Sequence, residues 1–129
     1  MKIEATSQTF KYNSIVKTLY KKGKLPSVKY DFYGEKLTKK NCTIEHLECV
    51  CNGGKTTLDN VVLATANKNQ ERGCRPLSEV FSWANAGRYL NQFKDIVIQG
   101  FNGNDYIKGI IKTVMEILQR EKIYSGVEQ

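Results

Sequence analysis

Residues 43–73 read TIEHLECVCNGGKTTLDNVVLATANKNQERG. Residues 42–51 predict a strand with two faces, one with Ile44, His46, Glu48 and Val50 and the other with Thr43, Glu45, Leu47 and Cys49. Residues 52–55 give a strong turn signal. The apolar residues within 57–63 predict a second strand. The polar segment 64–72 lacks glycine and proline and is followed by Gly73, so it predicts a helix with a glycine cap. The order is strand, turn, strand and helix.

Several residues of this segment stand at set distances from the single histidine, His46. Glu45 precedes it, Gly53 and Gly54 follow in the turn, and Asn60 and Asn69 lie 14 and 23 positions further on. This spacing resembles the HNH endonuclease family, which has a ββα-metal motif. Its members carry an acid–histidine pair on the first strand, a Gly-Gly loop, an asparagine opening the second strand, and His or Asn on the helix. The resemblance covers about residues 28–76 and is of the H-N-N type.

The resemblance implies a role for each matched residue. His46 falls at the general base, and Asn60 at the residue that orients the histidine and ties the loop together. Glu45 and Asn69 fall at metal-ligand positions, and their oxygens suit a hydrated Mg²⁺ or Mn²⁺ ion. Arg72 replaces a lysine and would contact phosphate. Because neighbouring strand residues point to opposite faces, we expect a bulge or twist at residues 45–46.

Many family members also hold a structural zinc ion between two C-x-x-C pairs. In this register the pairs fall on Tyr30 and Tyr33 and on Thr65 and Lys68, so the resemblance implies that this zinc site is absent. The four cysteines of the chain are Cys42, Cys49, Cys51 and Cys74, with no C-x-x-C pair. From the residues alone a zinc site made by these four stays open, but free thiols are favoured. We therefore expect no structural zinc.

The positive charge is concentrated in the first third of the chain. The formal net charge is +7; residues 1–40 hold ten lysines and three acidic residues, and the other 89 residues hold ten of each sign. Such a block attracts polyanions, with a solvated surface as the alternative. The predicted nucleic-acid contacts are Lys21, Lys22, Lys24, Lys39, Lys40, Lys55, Lys68, Arg72 and Arg75.

The flanking segments predict further elements. We expect a helix over 14–22, a strand within 28–33, helical structure over 77–93 with a break near Gly87, a short strand at 96–98 and an amphipathic helix over 105–122. A chain of 129 residues suits one domain. It would comprise a basic amino-terminal segment (residues 1–40), a ββα motif at about 42–73 and a helical carboxy-terminal segment (residues 76–124). The predicted fold class is α+β.

The resemblance implies a metal-dependent endonuclease that hydrolyses phosphodiester bonds in nucleic acid, with DNA favoured over RNA. It would use a histidine general base and one divalent metal ion. The alternative is a non-catalytic protein that keeps the HNH scaffold as a nucleic-acid binder or a phage-type inhibitor. Retention of Glu45, His46, Asn60 and Asn69 together favours the nuclease, since a scaffold needs none of them.

The flanks carry no recognisable DNA-reading motif, which favours weak sequence preference, a structured target or a protein partner that supplies targeting. The oligomeric state is left open. No apolar stretch approaches the roughly 20 residues of a membrane span, and the start of the chain lacks an apolar signal region. We therefore expect no membrane partner and a cytoplasmic location.

Overall fold

The computed structural model describes residues 15–125, and the side chains of residues 15–122. The first fourteen residues of the basic amino-terminal segment lie outside the described residues. The elements are, in chain order, α1 (Ile15–Lys21), β1 (Cys42–His46), a 3₁₀ turn (Val50–Asn52), β2 (Val61–Thr65), α2 (Ala66–Arg72), α3 (Leu77–Val80), α4 (Trp83–Asn91), β3 (Val97–Ile98), β4 (Phe101–Asn102) and α5 (Gly103–Ser125). The predicted α+β class with a helical carboxy-terminal segment is confirmed.

The predicted strand, turn, strand and helix form one continuous unit. β1 and β2 pair antiparallel, from Cys42 opposite Thr65 to His46 opposite Val61. α2 begins directly after β2 because the Thr65 hydroxyl accepts a hydrogen bond from the Lys68 amide and caps the helix. The helix ends at Gly73, whose φ of 55° lies in the region that favours glycine. The end of β1 and the last turn of α2 are thereby fixed against each other.

The open edge of β2 is closed by side chains and loop backbone instead of a third strand. Tyr89 accepts a hydrogen bond from the Leu63 amide, and Tyr106 donates to the Val61 carbonyl. The two tyrosine hydroxyls lie 2.8 Å apart, so one hydrogen-bonded chain runs along the edge. The Phe32 amide binds the Leu63 carbonyl. An unpaired strand edge is costly when buried, and these bonds satisfy it.

The core surrounds this strand pair. α1 packs against both β1 and β2, and α5 packs against α3 and β4. The buried residues of the core are Val16, Leu19, Tyr20, Leu25, Val28, Phe32, Leu37, Cys42, Leu47, Val62, Leu63, Leu77, Ala86, Tyr89, Leu90, Phe93, Phe101, Tyr106, Ile110, Val114 and Ile117. No helix within residues 15–125 is long and apolar enough to cross a membrane.

Three local predictions are wrong. Segment 28–33 is not a strand: it forms one bridge, between Tyr30 and Lys36, because the buried Asp31 side chain accepts the amides of Tyr33, Glu35 and Thr65. Helix α4 continues through Gly87 without a break. A bulge or twist was expected at residues 45–46, and the bulge is absent because the strand pairing 42–46 with 61–65 is uninterrupted.

Candidate functional site

His46 is the last residue of β1 and is partly exposed. Its Nε2 atom lies 2.8 Å from the Thr56 hydroxyl, on the loop that follows the paired glycines. When Nε2 carries the ring proton and donates it to Thr56, Nδ1 is the unprotonated nitrogen. In that tautomer the loop holds the ring through Nε2 and leaves Nδ1 as the nitrogen that can accept a proton.

Asn60 closes that loop from the start of β2. Its carboxamide oxygen accepts the Glu48 amide at 2.8 Å, and its nitrogen donates to the carbonyls of Glu48 and Lys55 at 3.2 and 2.8 Å. The side chain is buried, with 6% of its surface exposed. Asn60 acts on His46 indirectly, because it fixes the backbone at Lys55 and Thr56 is the next residue.

The Glu45 carboxylate lies in a buried network. The Arg72 guanidinium approaches it at 3.2 Å, with both side chains about 5% exposed or less, and the Tyr33 hydroxyl donates to it at 2.5 Å. Burial raises the pKa of Glu45, and the hydrogen bond from Tyr33 and the Arg72 charge oppose that shift. Burial, and then the neighbouring Glu45 charge, raise the pKa of Tyr33, so its hydroxyl stays protonated as a donor.

Arg72 is an internal brace in this structure. Three further N–H donors bind the backbone carbonyls of His46, Leu47 and Arg75 at 2.7 to 2.9 Å. The guanidinium was predicted to contact phosphate, but four of its five N–H donors bind groups of the protein itself. It ties the last turn of α2 to the end of β1, where His46 is placed.

Asn69 also joins α2 to β1. Its amide nitrogen donates to the Thr43 hydroxyl at 3.1 Å and to the Ile44 carbonyl at 2.9 Å. Because the pairing of β1 has no bulge, Glu45 and His46 are directed to opposite faces of the strand. The structure thus brings Glu45 to Arg72, His46 to Thr56 and the Asn69 amide to Thr43 and Ile44.

The cofactor prediction is wrong. Among the described residues, the group of side chains placed to hold a metal ion is Cys49, Cys51 and Cys74, whose sulfur atoms all lie within 4.8 Å of one another. Thiolates are soft ligands that favour zinc over magnesium or manganese. Free thiols were favoured because the sequence has no C-x-x-C pair, whereas the cluster depends on Cys74, which is distant in sequence from Cys49 and Cys51.

The predicted basic contacts fall into two groups. Lys21, Lys22, Lys24, Lys39, Lys40, Lys55 and Arg75 are exposed. A groove of about 290 Å³ lies beside α1, and its border includes Lys29, Lys36, Lys39 and Gly23. Lys68 is less available, because its ammonium group lies 3.2 Å from Glu71 and 4.0 Å from Glu35.

Three site residues escaped the sequence analysis in their present roles. Thr56 binds the histidine ring, Tyr33 binds Glu45, and Asp31 ties residues 33–35 to the start of α2. The position of Thr56 two residues after Gly54 was the one signal that could have found any of them.

Comparisons with protein-family models, with curated proteins and with solved structures returned no match. Membership of the HNH family therefore remains a hypothesis based on the motif.

Proposed function

We propose that this protein is an HNH-type nuclease that hydrolyses phosphodiester bonds in nucleic acid with His46 as general base. The observation that carries the proposal is the placement of His46. It is the last residue of β1, its Nε2 atom is hydrogen-bonded to the Thr56 hydroxyl, and it borders a loop closed by Asn60. DNA is the favoured substrate, and RNA shares the same chemistry.

The proposed reaction begins with the removal of a proton from water. An imidazole held through Nε2 can accept that proton on Nδ1, which makes the water nucleophilic toward phosphorus. As the water oxygen bonds to phosphorus, the ester bond from phosphorus to the leaving oxygen breaks. The leaving oxygen takes a proton from solvent, and His46 returns its proton to solvent. Positioning of the ring by Thr56 lowers the cost of orienting the base in each turnover.

Charge compensation at the phosphate is the second requirement of such a reaction. In this structure Arg72 and Tyr33 both bind the Oε2 atom of Glu45. The chemistry proposed here is the proton transfer at His46. The exposed Lys55, next to Thr56, is the nearest cation along the chain to the histidine's loop.

A second candidate is a non-catalytic HNH scaffold that binds nucleic acid or another protein. It is favoured because the two residues at the metal-ligand positions bind other groups of the protein. Glu45 is ion-paired with Arg72, and the amide nitrogen of Asn69 donates hydrogen bonds to β1. In that case the motif serves as structure, and the basic surface carries the binding.

A cleavage assay separates the two functions. Purified protein is incubated with supercoiled plasmid and, separately, with structured RNA, in the presence of EDTA or of a panel of divalent cations. Binding to each nucleic acid is measured in parallel by fluorescence anisotropy. Nicked or linear plasmid, or cleaved RNA, supports the nuclease; tight binding with no cleavage in any arm supports the scaffold.

We also propose that the protein works in the cytoplasm. Its four cysteines are free thiols, which persist in a reducing compartment.

A further inference from the structure

We infer that Cys49, Cys51 and Cys74 form a zinc site with three thiolate ligands and an open fourth position. This site is separate from His46 and does not depend on the proposed nuclease activity. It lies where the loop after β1 meets the segment that follows α2.

The backbone brings the three thiols together from two segments. Cys49 and Cys51 flank the first residue of the 3₁₀ turn, and Cys74 follows the glycine that ends α2. The close packing of this turn requires glycine at position 54, because a side chain there would collide with the Glu48 carbonyl. Arg72 holds the other segment through the Leu47 carbonyl. The cluster is therefore assembled by elements of the fold that are fixed without a metal.

The third thiol, and not the distance between the first two, favours a metal over a disulfide. The Cys49 and Cys74 sulfur atoms are 2.7 Å apart, and all three sulfur atoms lie within 4.8 Å of one another. A disulfide uses two thiols and leaves the Cys51 sulfur without a function in the cluster. Tetrahedral zinc with bonds of about 2.3 Å places its sulfur ligands about 3.8 Å apart, so zinc binding requires the Cys49 and Cys74 sulfur atoms to separate by about 1 Å.

The surroundings supply the charge balance that such a site needs. Three thiolates around Zn²⁺ leave one net negative charge. Burial raises the pKa of Cys49 to about 12, and the nearby Arg72 charge opposes that shift. Hydrogen bonds from its two neighbouring cysteines lower the pKa of Cys74, and Arg72 acts in the same direction. Metal binding releases the thiol protons to solvent.

A groove beside Cys74 gives solvent access to the proposed site. Its volume is about 510 Å³, and its lining includes Glu48, Arg75, Arg120 and Glu121. Both carboxylates are engaged, Glu48 by Arg120 at 2.8 Å and Glu121 by the amides of Leu77 and Ser78. A water molecule or a small thiol from solution would complete the tetrahedron.

Metal analysis of the full chain tests the site. Protein purified under reducing conditions is dialysed against zinc-free buffer, and bound zinc is measured by plasma mass spectrometry. We expect one zinc ion per chain. Replacement by Co²⁺ should give thiolate-to-cobalt charge-transfer absorption and the intense visible bands of tetrahedral cobalt.

The variants Cys49→Ser, Cys51→Ser and Cys74→Ser should each weaken zinc binding by at least about tenfold. Cys42→Ala is the matched control, because Cys42 is a free thiol in the core outside the cluster, and it should keep its zinc. Cys51 and Cys74 are exposed, so their substitution leaves the fold intact even if Cys49→Ser does not fold.

Three results would each overturn the proposal. The first is the absence of tight zinc or cobalt binding by reduced wild-type protein, and the second is binding that all three serine variants retain. The third is a linked pair of peptides containing Cys49 and Cys74, with a protein mass two hydrogen atoms below that of the reduced chain, in protein isolated with zinc present. The third result would identify the pair as a disulfide.

Discussion

The buried ion pair of Arg72 and Glu45 determines how the motif of this protein is held together. Arg72 makes one contact to the carboxylate and three to backbone carbonyls, all within a nearly solvent-free space. Taking both charges out of water is costly, and the pair offsets that cost only while both partners are present. Glu45, whose carboxylate is bound in this pair, is the residue that the sequence resemblance places at a metal-ligand position.

Arg72→Met should therefore lower the free energy of unfolding by about 3 to 5 kcal/mol, because it leaves a buried carboxylate and orphaned carbonyls. Urea denaturation followed by circular dichroism measures the change. Arg75→Met removes an exposed guanidinium three residues away and should cost no more than about 0.5 kcal/mol. Equal costs for the two variants would contradict the brace assigned to Arg72.

Asn60→Ala should destabilise the protein by about 3 kcal/mol, since three buried or partly buried backbone groups lose their partner. The loop should also loosen around Thr56, which faster amide hydrogen exchange at residues 48–57 would report. Asn67→Ala, at an exposed position of α2, is the control. A loop that exchanges at the wild-type rate in Asn60→Ala would count against its role.

Among the helices, α5 supports the motif from a distance. Its Glu121 carboxylate accepts the amides of Leu77 and Ser78 at 2.8 and 2.9 Å and so caps the short helix α3. α3 has four residues and begins after Pro76 without a side-chain cap of its own. The cap therefore comes from a residue more than forty positions away.

Glu121→Ala should lower the free energy of unfolding by about 1 to 2 kcal/mol, because the amides at the start of α3 lose a charged acceptor. Chemical denaturation gives the value. Glu116→Ala changes an exposed acid on the same helix and is the matched control. Indistinguishable stabilities of the two variants would show that the cap contributes nothing.

The sequence pattern predicts the helices and strands that depend on neighbouring residues. It fails where contacts with distant residues determine the local structure. The strand pair and α2 follow from alternation, the Gly-Gly turn and Gly73. Segment 28–33 alternates like a strand, but Asp31 binds the start of α2 and fixes a turn instead. In α4 the helix passes through Gly87 because Tyr89 and Leu90, beyond it, are anchored in the core.

The candidate site divides in the same way. His46 and Asn60 stand at the ends of the strands, as their spacing predicts. The contact of Arg72 with Glu45 and the meeting of Cys74 with Cys49 join residues 27 and 25 positions apart. Such pairs depend on how α2 folds back over β1, which no local pattern in one sequence specifies.

Across the chain, the charge asymmetry places the predicted nucleic-acid surface at the amino-terminal side of the fold. The described lysines of this region are exposed along α1 and the segment after it, including Lys21, Lys22 and Lys24. Lys39 approaches the same place, with its ammonium group near Gly23. Phosphate contacts by such groups carry affinity but little sequence information.

Charge reversal of Lys21, Lys22 and Lys24 to Glu should weaken DNA binding and reduce the slope of log affinity against log salt by about 0.9 per lost phosphate contact. Fluorescence anisotropy at several salt concentrations measures both. Reversal of the exposed Lys94, Lys108 and Lys112 matches the change in net charge and is the control. The same slope in the two triple variants would assign the amino-terminal lysines to a merely solvated surface.

The most direct test of the proposed nuclease is the rate of nucleic-acid cleavage by wild-type protein and by His46→Ala at equal bound fractions. A general base contributes about 10² to 10⁴ in rate, so the variant should lose activity by that factor while its binding and its unfolding transition stay as in the wild type. Cleavage by His46→Ala at the wild-type rate, or no cleavage of DNA or RNA by the wild type, would contradict the account.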